Sequence, residues 1–522
     1  MMALRVAGTT GRALLRSGLL KPPGPRALVR LAREAHRSGI NVFTLLAIAA
    51  ARWPDRAAVI DDDGVIGYRE LLQRTESLAR ALYRHGVTRG QPVGILCRNG
   101  RGFVEAVFAV AQLGADAVLL NTEFRTDALT AALSTHRIAT VVCDREFTGR
   151  VRAMGEHVLA VDPARVVARH GDPRPEVMAP GRIVLLTSGT TGKPKGVART
   201  PRLGSTVVGV WATILDRAKL RTGSRISVAT PMFHGLGLGM VLLTVGLGGT
   251  ILTRRRFDAE AALAQASLHR ADAFTAVPVM LARILDLPAG VRARNPVPAL
   301  RVVLSSGDRL DPSVVRRFMA AYGDVLYNAY GSTEVGIGAF ATPTDLREAP
   351  ETVGRPIVGC PVRILSRNDA PVGPGVIGRV FVGGDLTFEG YIGGGATSVV
   401  NDMTSTGDMG YFDESGRLFL VGREDDMIVS GGENVYPSVV ENALAQHPGI
   451  TESAVVGVRD ERFGYRLAAF VVPRPGSGVD EAAVREYLKD KVSRFEQPRD
   501  VRIVSGIPRN PAGKVLRNEL PI

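Results

Sequence analysis

Leu185-Leu-Thr-Ser-Gly-Thr-Thr-Gly-Lys-Pro-Lys-Gly-Val197 is an apolar run that feeds a loop of hydroxyls, glycines and two lysines. Ile183 to Leu186 reads as a buried strand. Gly189, Gly192 and Gly196 let the backbone approach an anion closely. Thr187, Ser188, Thr190 and Thr191 add hydroxyl donors, and Lys193 and Lys195 add positive charge. Together they predict a polyphosphate-holding loop at the end of a strand. It is not the usual nucleotide-triphosphatase loop, which needs four residues between its first two glycines and a Ser or Thr after its Lys. Here Gly189 and Gly192 are two residues apart, and Pro194 follows Lys193.

The lysines carry further information. Of 65 basic side chains only seven are Lys, at positions 21, 193, 195, 219, 489, 491 and 514. Two stand in this loop and a third, Lys514, in Pro508-Arg-Asn-Pro-Ala-Gly-Lys-Val-Leu-Arg517. Random placement would put Lys at all three about once in a thousand chains, so a compact ammonium that a guanidinium cannot replace is the better account.

Outward from the loop, apolar runs alternate with amphipathic stretches from about residue 40 to 340. Tyr68 to His85 has helical spacing and stops at Gly86, and Val93 to Cys97 follows as a buried strand. Helices are predicted over 102–113, 127–135, 258–269, 279–287 and 312–322. Strands are predicted over 117–120 and 139–143, and near 226–230, 273–277, 301–305 and 325–329. That rhythm predicts an α/β fold of doubly wound, mostly parallel sheets. From 353 to 422 short strands and tight turns predict a β-rich subdomain, and after Arg423 comes a compact α+β tail. The expected units are a basic leader (1–40), a large domain (41–422) and a small one (423–522).

The 522 residues are 45% apolar and 22% charged, a soluble globular balance too long for one core. Cys97, Cys143 and Cys360 are odd in number and sit in or beside apolar runs, so buried thiols are expected rather than disulfides or a metal cluster. Half of the net charge of +14 lies in residues 1–40, which hold eight Lys or Arg against one acid, Glu34. Without a basic stripe interleaved with aromatics, nucleic acid is not an expected partner. The leader suits a transit peptide, a segment lying on anionic lipid, or a disordered or weakly helical arm. The expected location is the cytoplasm, with peripheral membrane contact through residues 1–40, or the mitochondrion if those residues are a transit peptide. Gly235 to Thr253 is an uncharged run of 19 residues; its glycines favour a buried helix and core strand over a membrane span.

Three further motifs complete the set: Tyr327-Asn-Ala-Tyr-Gly-Ser-Thr-Glu334, Ser405-Thr-Gly-Asp-Met-Gly-Tyr411, and Gly422-Arg-Glu-Asp-Asp-Met-Ile-Val-Ser-Gly-Gly-Glu-Asn-Val-Tyr-Pro437. With the phosphate loop and Lys514, in this order, they closely resemble the AMP-forming adenylate-forming superfamily of acyl-CoA synthetases, luciferases and peptide-synthetase adenylation domains. The resemblance covers about residues 42–522. It implies a large domain of two αβ sheets plus a distorted β-barrel, with a small mobile α+β domain above the active site. It implies ATP, Mg²⁺ and CoA as the reactants beside the acid. By that resemblance Thr187 to Gly196 gathers the β- and γ-phosphates, Tyr330 stacks on adenine, Thr333 contacts the α-phosphate and Glu334 ligates Mg²⁺. Asp408 and Arg423 would bind the ribose hydroxyls, Asp425 would be the hinge, and Lys514 would bridge carboxylate and α-phosphate. Ser430, Gly431, Gly432 and Glu433 would reach the thiol tunnel after the small domain swings. The adenine wall would be Ser306 to Arg309, including Gly307, where Asp308 and Arg309 depart from the small residue and Pro often found there.

Peptide-synthetase adenylation domains usually carry an Asp after a Pro–aromatic pair to meet the substrate ammonium. The matching stretch here, Pro231-Met-Phe-His-Gly-Leu-Gly237, has His234 there, which disfavours an amino acid. The expected acyl pocket is Phe233, His234, Gly235, Val277 and Gly331, and the expected acid is a medium- or long-chain fatty acid, because each buried methylene adds about 0.8 kcal/mol. The expected acceptor is CoA. A fatty-acyl-AMP ligase handing its adenylate to a carrier protein is the alternative, disfavoured by the compact span from Glu334 to Asp408.

Overall fold

The computed structural model describes residues 2–19, 41–166, 180–187, 195–200, 205–384, 390–392, 397–424, 426–430, 433–460, 464–509 and 515–521. Two large sheets organise the large domain. In the first, strands Asp116–Leu119, Pro92–Leu96, Thr140–Cys143 and Leu159–Val161 run parallel beside the phosphate-loop strand Ile183–Thr187. All four residues of Asp116–Leu119 and of Thr140–Cys143 are buried, as strands covered by helices on both faces must be.

The second sheet has nine strands. Its parallel middle, Ala57–Asp61, Thr250–Leu252, Arg225–Val228, Ala273–Ala276, Val302–Ser305 and Leu326–Ser332, meets antiparallel strands at both edges. The expected doubly wound pattern therefore holds at the centre, and hairpins close the rims. Gly64–Gly67 turns back on Ala57–Asp61, and Gly336–Ala341 turns back on Leu326–Ser332.

The uncharged run resolves into helix Gly235–Gly246 and strand Thr250–Leu252. Between them Gly248 has φ +54°, and an added Cβ would fall inside the Trp53 ring. Among the described residues no helix is long and apolar enough to cross a membrane.

Strands Val362–Leu365, Gly378–Gly383, Val399–Val400, Met403–Phe412 and Leu418–Arg423 form a five-stranded antiparallel sheet, the β-rich subdomain. The small domain pairs the long hairpin Ile450–Asp460 and Gly464–Pro473 with a parallel edge strand, Asp500–Ile503. Helices Pro437–Leu444 and Glu481–Lys489 close its core through Val440, Leu444, Val484 and Leu488.

The leader is helical over part of the described residues. Helix Met2–Ser17 lies against helix Ser205–Ala218, with Ala13 and Ser17 each 1% exposed. Arg16 pairs with Asp216 at 2.7 Å, and Thr222 N donates to Ser17 O at 2.8 Å. Ala13 and Ser17 thus face the large domain, with Arg12 and Arg16 on the outside.

Candidate active site

The phosphate loop joins the two strands of a hairpin. Ile183–Thr187 pairs antiparallel with Lys195–Arg199, opposing Leu185 to Val197 and Thr187 to Lys195. Ser188, Gly189, Thr190, Thr191, Gly192 and Lys193 lie outside the described residues, and of Thr187 and Lys195 only the backbone is described. The hairpin's entry is anchored by Asp116, 3% exposed, which accepts from both the backbone N and the Nε of Arg182 at 2.8 Å.

Gly196 has a reason besides anion approach. A Cβ there would lie 2.2 Å from Cε1 of His136, so the hairpin packs against that ring. His136 is 6% exposed, both ring nitrogens are without a hydrogen-bond partner among the described residues, and burial lowers its pKa.

The other end of the hairpin reaches the Thr333–Glu334 turn. Arg199 Nη2 donates to Thr333 O at 2.6 Å. Burial lowers the Arg199 pKa to about 10, opposed by the charge of Glu334, so it remains a cation at neutral pH. Glu334 N donates to Ser332 Oγ at 3.2 Å. The motif lies at the tip of the hairpin Leu326–Ser332 and Gly336–Ala341, whose register shifts between Tyr330 and Gly331. Gly331, expected in the acyl pocket, is required by the hairpin itself: a Cβ would sit 1.8 Å from Gly336 O.

Tyr330 faces the opposite way along this motif, into the β-rich sheet. Its ring packs with Ala339, Ile364, Val380 and Leu418 and is 8% exposed, so core packing takes most of the surface expected to face adenine. Its hydroxyl donates to Asp408 Oδ2 at 2.5 Å, and burial followed by the Asp408 charge raises its pKa well above the ordinary value. Asp408 lies across the strand pair from Arg423, whose Nη1 is 3.4 Å from Asp408 Oδ1 and donates to Thr406 O at 3.1 Å. Gly407, φ +73°, lets the chain bulge here; a Cβ would meet Arg423 Nη2 at 2.8 Å.

Of the expected acyl residues, Gly235 lies beside strand Ile183–Thr187, while Phe233 and Val277 belong to two different core clusters. Phe233 and His234 have ring centroids 4.6 Å apart, and His234 precedes the first turn of helix Gly235–Gly246. Leu185 Cδ1 lies 3.7 Å from where a Gly235 Cβ would be. Gly307, φ +93°, puts its missing Cβ 3.4 Å from Val277 Cγ1, so the adenine wall and the acyl wall touch. Asp308 is drawn to the small domain, where Arg509 Nη1 lies 3.6 Å from its Oδ2.

Asn99 and Arg199 escaped the sequence reading. Asn99, 8% exposed, donates to Thr230 O at 2.9 Å and accepts from Met232 N at 2.8 Å, which shapes the turn delivering Phe233 and His234. Only its place after an apolar strand, in Cys97-Arg-Asn-Gly100, hinted at a role. Asp425, Gly431, Gly432 and Lys514 lie outside the described residues. Ser430 and Glu433 have a described backbone only, opposed across a hairpin. No group of three metal-ligating side chains occurs among the described residues. A Mg²⁺ that keeps waters and takes phosphate oxygens needs only one or two carboxylates, and Glu334, a hard-oxygen donor at the phosphate end, fits that requirement.

Residues 46–392 match the family described as AMP-binding enzyme, and residues 439–514 match the AMP-binding enzyme C-terminal domain. A 2-succinylbenzoate–CoA ligase of Bacillus cereus is 30% identical over 481 residues, covering 90% of this chain and 95% of that protein. A feruloyl-CoA synthase of Amycolatopsis is 30% identical over 475 residues, covering 90% and 96%. The solved o-succinylbenzoate CoA synthetase of Bacillus subtilis, in complex with its acyl-adenylate intermediate, has a TM-score of 0.81 at 28% identity, covering 92% of this chain and 98% of that one.

Proposed function

The chain belongs to the AMP-binding enzyme family, and on that premise we propose that it activates an apolar carboxylic acid without an ammonium group. It is an AMP-forming CoA ligase that uses ATP, Mg²⁺ and CoA. The observation that carries the site assignment is that one hairpin brings both expected ends of the nucleotide together. Tyr330, on strand Leu326–Ser332, holds Asp408, and Thr333, in the turn that follows, accepts from Arg199.

In the first half-reaction a carboxylate oxygen attacks the α-phosphorus and pyrophosphate leaves. Both reactants are anionic, so charge crowding dominates the barrier. Lys193, Lys195 and Lys514 offset it, Arg199 holds the Thr333 turn, and Glu334 would hold Mg²⁺, which neutralises phosphate charge when bound. Asp408 and Arg423 orient the ribose. In the second half-reaction the CoA thiolate attacks the acyl carbon and AMP leaves. Lys514 must first withdraw, and a swing about Asp425 that brings Ser430 to Glu433 forward would accomplish this.

The acid is the finer question. Helix Gly235–Gly246 buries Leu238, Met240, Val241, Leu243 and Val245 in the core, so this run supports packing rather than an open channel. That favours a compact apolar acid, with an aromatic ring or a short branched chain against Phe233 and Val277. A medium- or long-chain fatty acid is the second reading. It is favoured by Gly235 and Gly239, which leave one helix face bare between Leu185 and Trp211.

Pyrophosphate exchange into ATP, measured over a panel of acids, tests both levels. Exchange peaking with benzoate-like or short branched acids is the expected result. A maximum at ten or more carbons selects the fatty acid, and no exchange with any acid overturns the activity assigned.

A further inference from the structure

We propose that Asp308 and Arg509 form a charge latch that holds the small domain in the adenylating position, and that Glu452 takes over Arg509 when the latch opens. The proposal rests on the CoA-ligase reading above and assigns residues to its change of state.

Asp308 belongs to the large domain, just after strand Val302–Ser305 and the left-handed Gly307. Its two oxygens divide the work: Oδ1 accepts from Arg309 N at 2.8 Å, and Oδ2 lies 3.6 Å from Arg509 Nη1. Arg509 belongs to the small domain. Its Nε lies 3.6 Å from Oε2 of Glu452, on the long strand Ile450–Asp460 of that same domain. One guanidinium therefore faces a carboxylate in each domain at equal distance. If the domains part, Arg509 loses Asp308 and keeps Glu452, so no cation is stranded. That arrangement suits an element with two states of similar energy.

The latch acts on the segment that bears Lys514. Arg509 and Val515 form an isolated antiparallel bridge, and Leu516 N donates to Pro508 O at 2.8 Å, so Pro508 and Arg509 are tied to Val515 and Leu516. Lys514 is covalently next to Val515, with Cα atoms about 3.8 Å apart. Pinning Arg509 to Asp308 beside Gly307 thus pins the base of the segment carrying that lysine beside the nucleotide wall. Asp308 is where the chain departs from the residue types expected for that wall, and a cross-domain partner accounts for the departure. Asp308 and Arg509 are positioning residues here; neither needs to touch a reacting atom.

Both partners are about a quarter exposed, so the pair is screened by salt and its effect is a shift of populations rather than an on–off switch. Asp308→Asn should slow pyrophosphate exchange three- to tenfold and speed thioester formation from supplied acyl-AMP. Glu452→Gln, which removes the small-domain carboxylate that competes for Arg509, should shift the two half-reactions the opposite way. Raising salt should shift wild type towards the Asp308→Asn ratio and leave that variant unchanged. A higher KM for ATP in Asp308→Asn with an unaltered ratio would make Asp308 a nucleotide contact and overturn the latch.

The domain position can be read without activity. The three cysteines are buried, so dyes on Leu268→Cys and Ile503→Cys, both at exposed sites, report the separation by energy transfer. Asp308→Asn and high salt should deplete the latched population, and Glu452→Gln should enrich it. Identical distributions in all three proteins would overturn the latch even if the wild type ligated no acid tested. Exchange absent from the wild type, with distributions that shift as stated, would sink the activity and leave the latch standing.

Discussion

The large-domain site and the domain boundary are held by different kinds of contact. Inside the large domain the functional turns hang on buried, directional bonds: Asn99 to Met232, Arg199 to Thr333, Tyr330 to Asp408. Across the boundary, the pair from Arg509 to Asp308 is longer and about a quarter exposed to water. Buried polar bonds are costly to break because their groups cannot turn to solvent, whereas exposed ion pairs exchange with water at small cost. A nucleotide site that must stay in register is built from the first, and the domain proposed to swing between two chemical steps is attached by the second.

The sharpest way to break this contrast is at Lys514, the lysine proposed to move. Lys514→Ala should cut adenylate formation by about 10²–10³-fold, the usual loss when one donor to developing charge is removed. Thioester formation from supplied acyl-AMP should be spared. Equal loss in both half-reactions would mean that the small domain stays put and that the two regions do not differ in role.

A smaller effect is expected inside the rigid half. Asn99→Ala strands the Met232 N–H in a buried turn and should cost about 1–3 kcal/mol in urea unfolding, with a raised KM for the acid. Unchanged stability would make the site's turns as loosely held as the domain boundary.

The smallest effect concerns His136 behind the phosphate hairpin. Burial lowers its pKa below the ordinary 6.5, so the folded state binds fewer protons than the unfolded one once the pH falls through that value. Stability is therefore present above pH 6.5 and lost below it. His136→Leu should flatten the loss of Tm between pH 7 and pH 5. An identical slope in both proteins would remove His136 from this account.

Much of the architecture was legible in the chain because buried parallel strands and amphipathic helices leave local periodicities. Helix Pro312–Tyr322 and strands Val302–Ser305 and Thr140–Cys143 fall within a residue of their sequence-based limits. Asp408 and Arg423 were legible as motifs, and the structure brings them together across one strand pair. Gly196 and Gly331 were legible as glycines but not for their reasons, which are a histidine ring and a carbonyl oxygen distant in sequence or across a turn. Asn99 and Arg199 were not legible as site residues, because their partners lie more than 100 positions away. The leader's charge was legible, while its packing against helix Ser205–Ala218 was not.

Local order, strand and helix limits, and the types of group offered to a nucleotide were determined by the sequence alone, since each depends on spacing over a few residues. Which buried polar atoms meet, which glycines are compulsory, and which carboxylate of the large domain faces the guanidinium of the small one were decided only in three dimensions. Those outcomes depend on through-space distances of a few ångströms between residues that chain order leaves far apart.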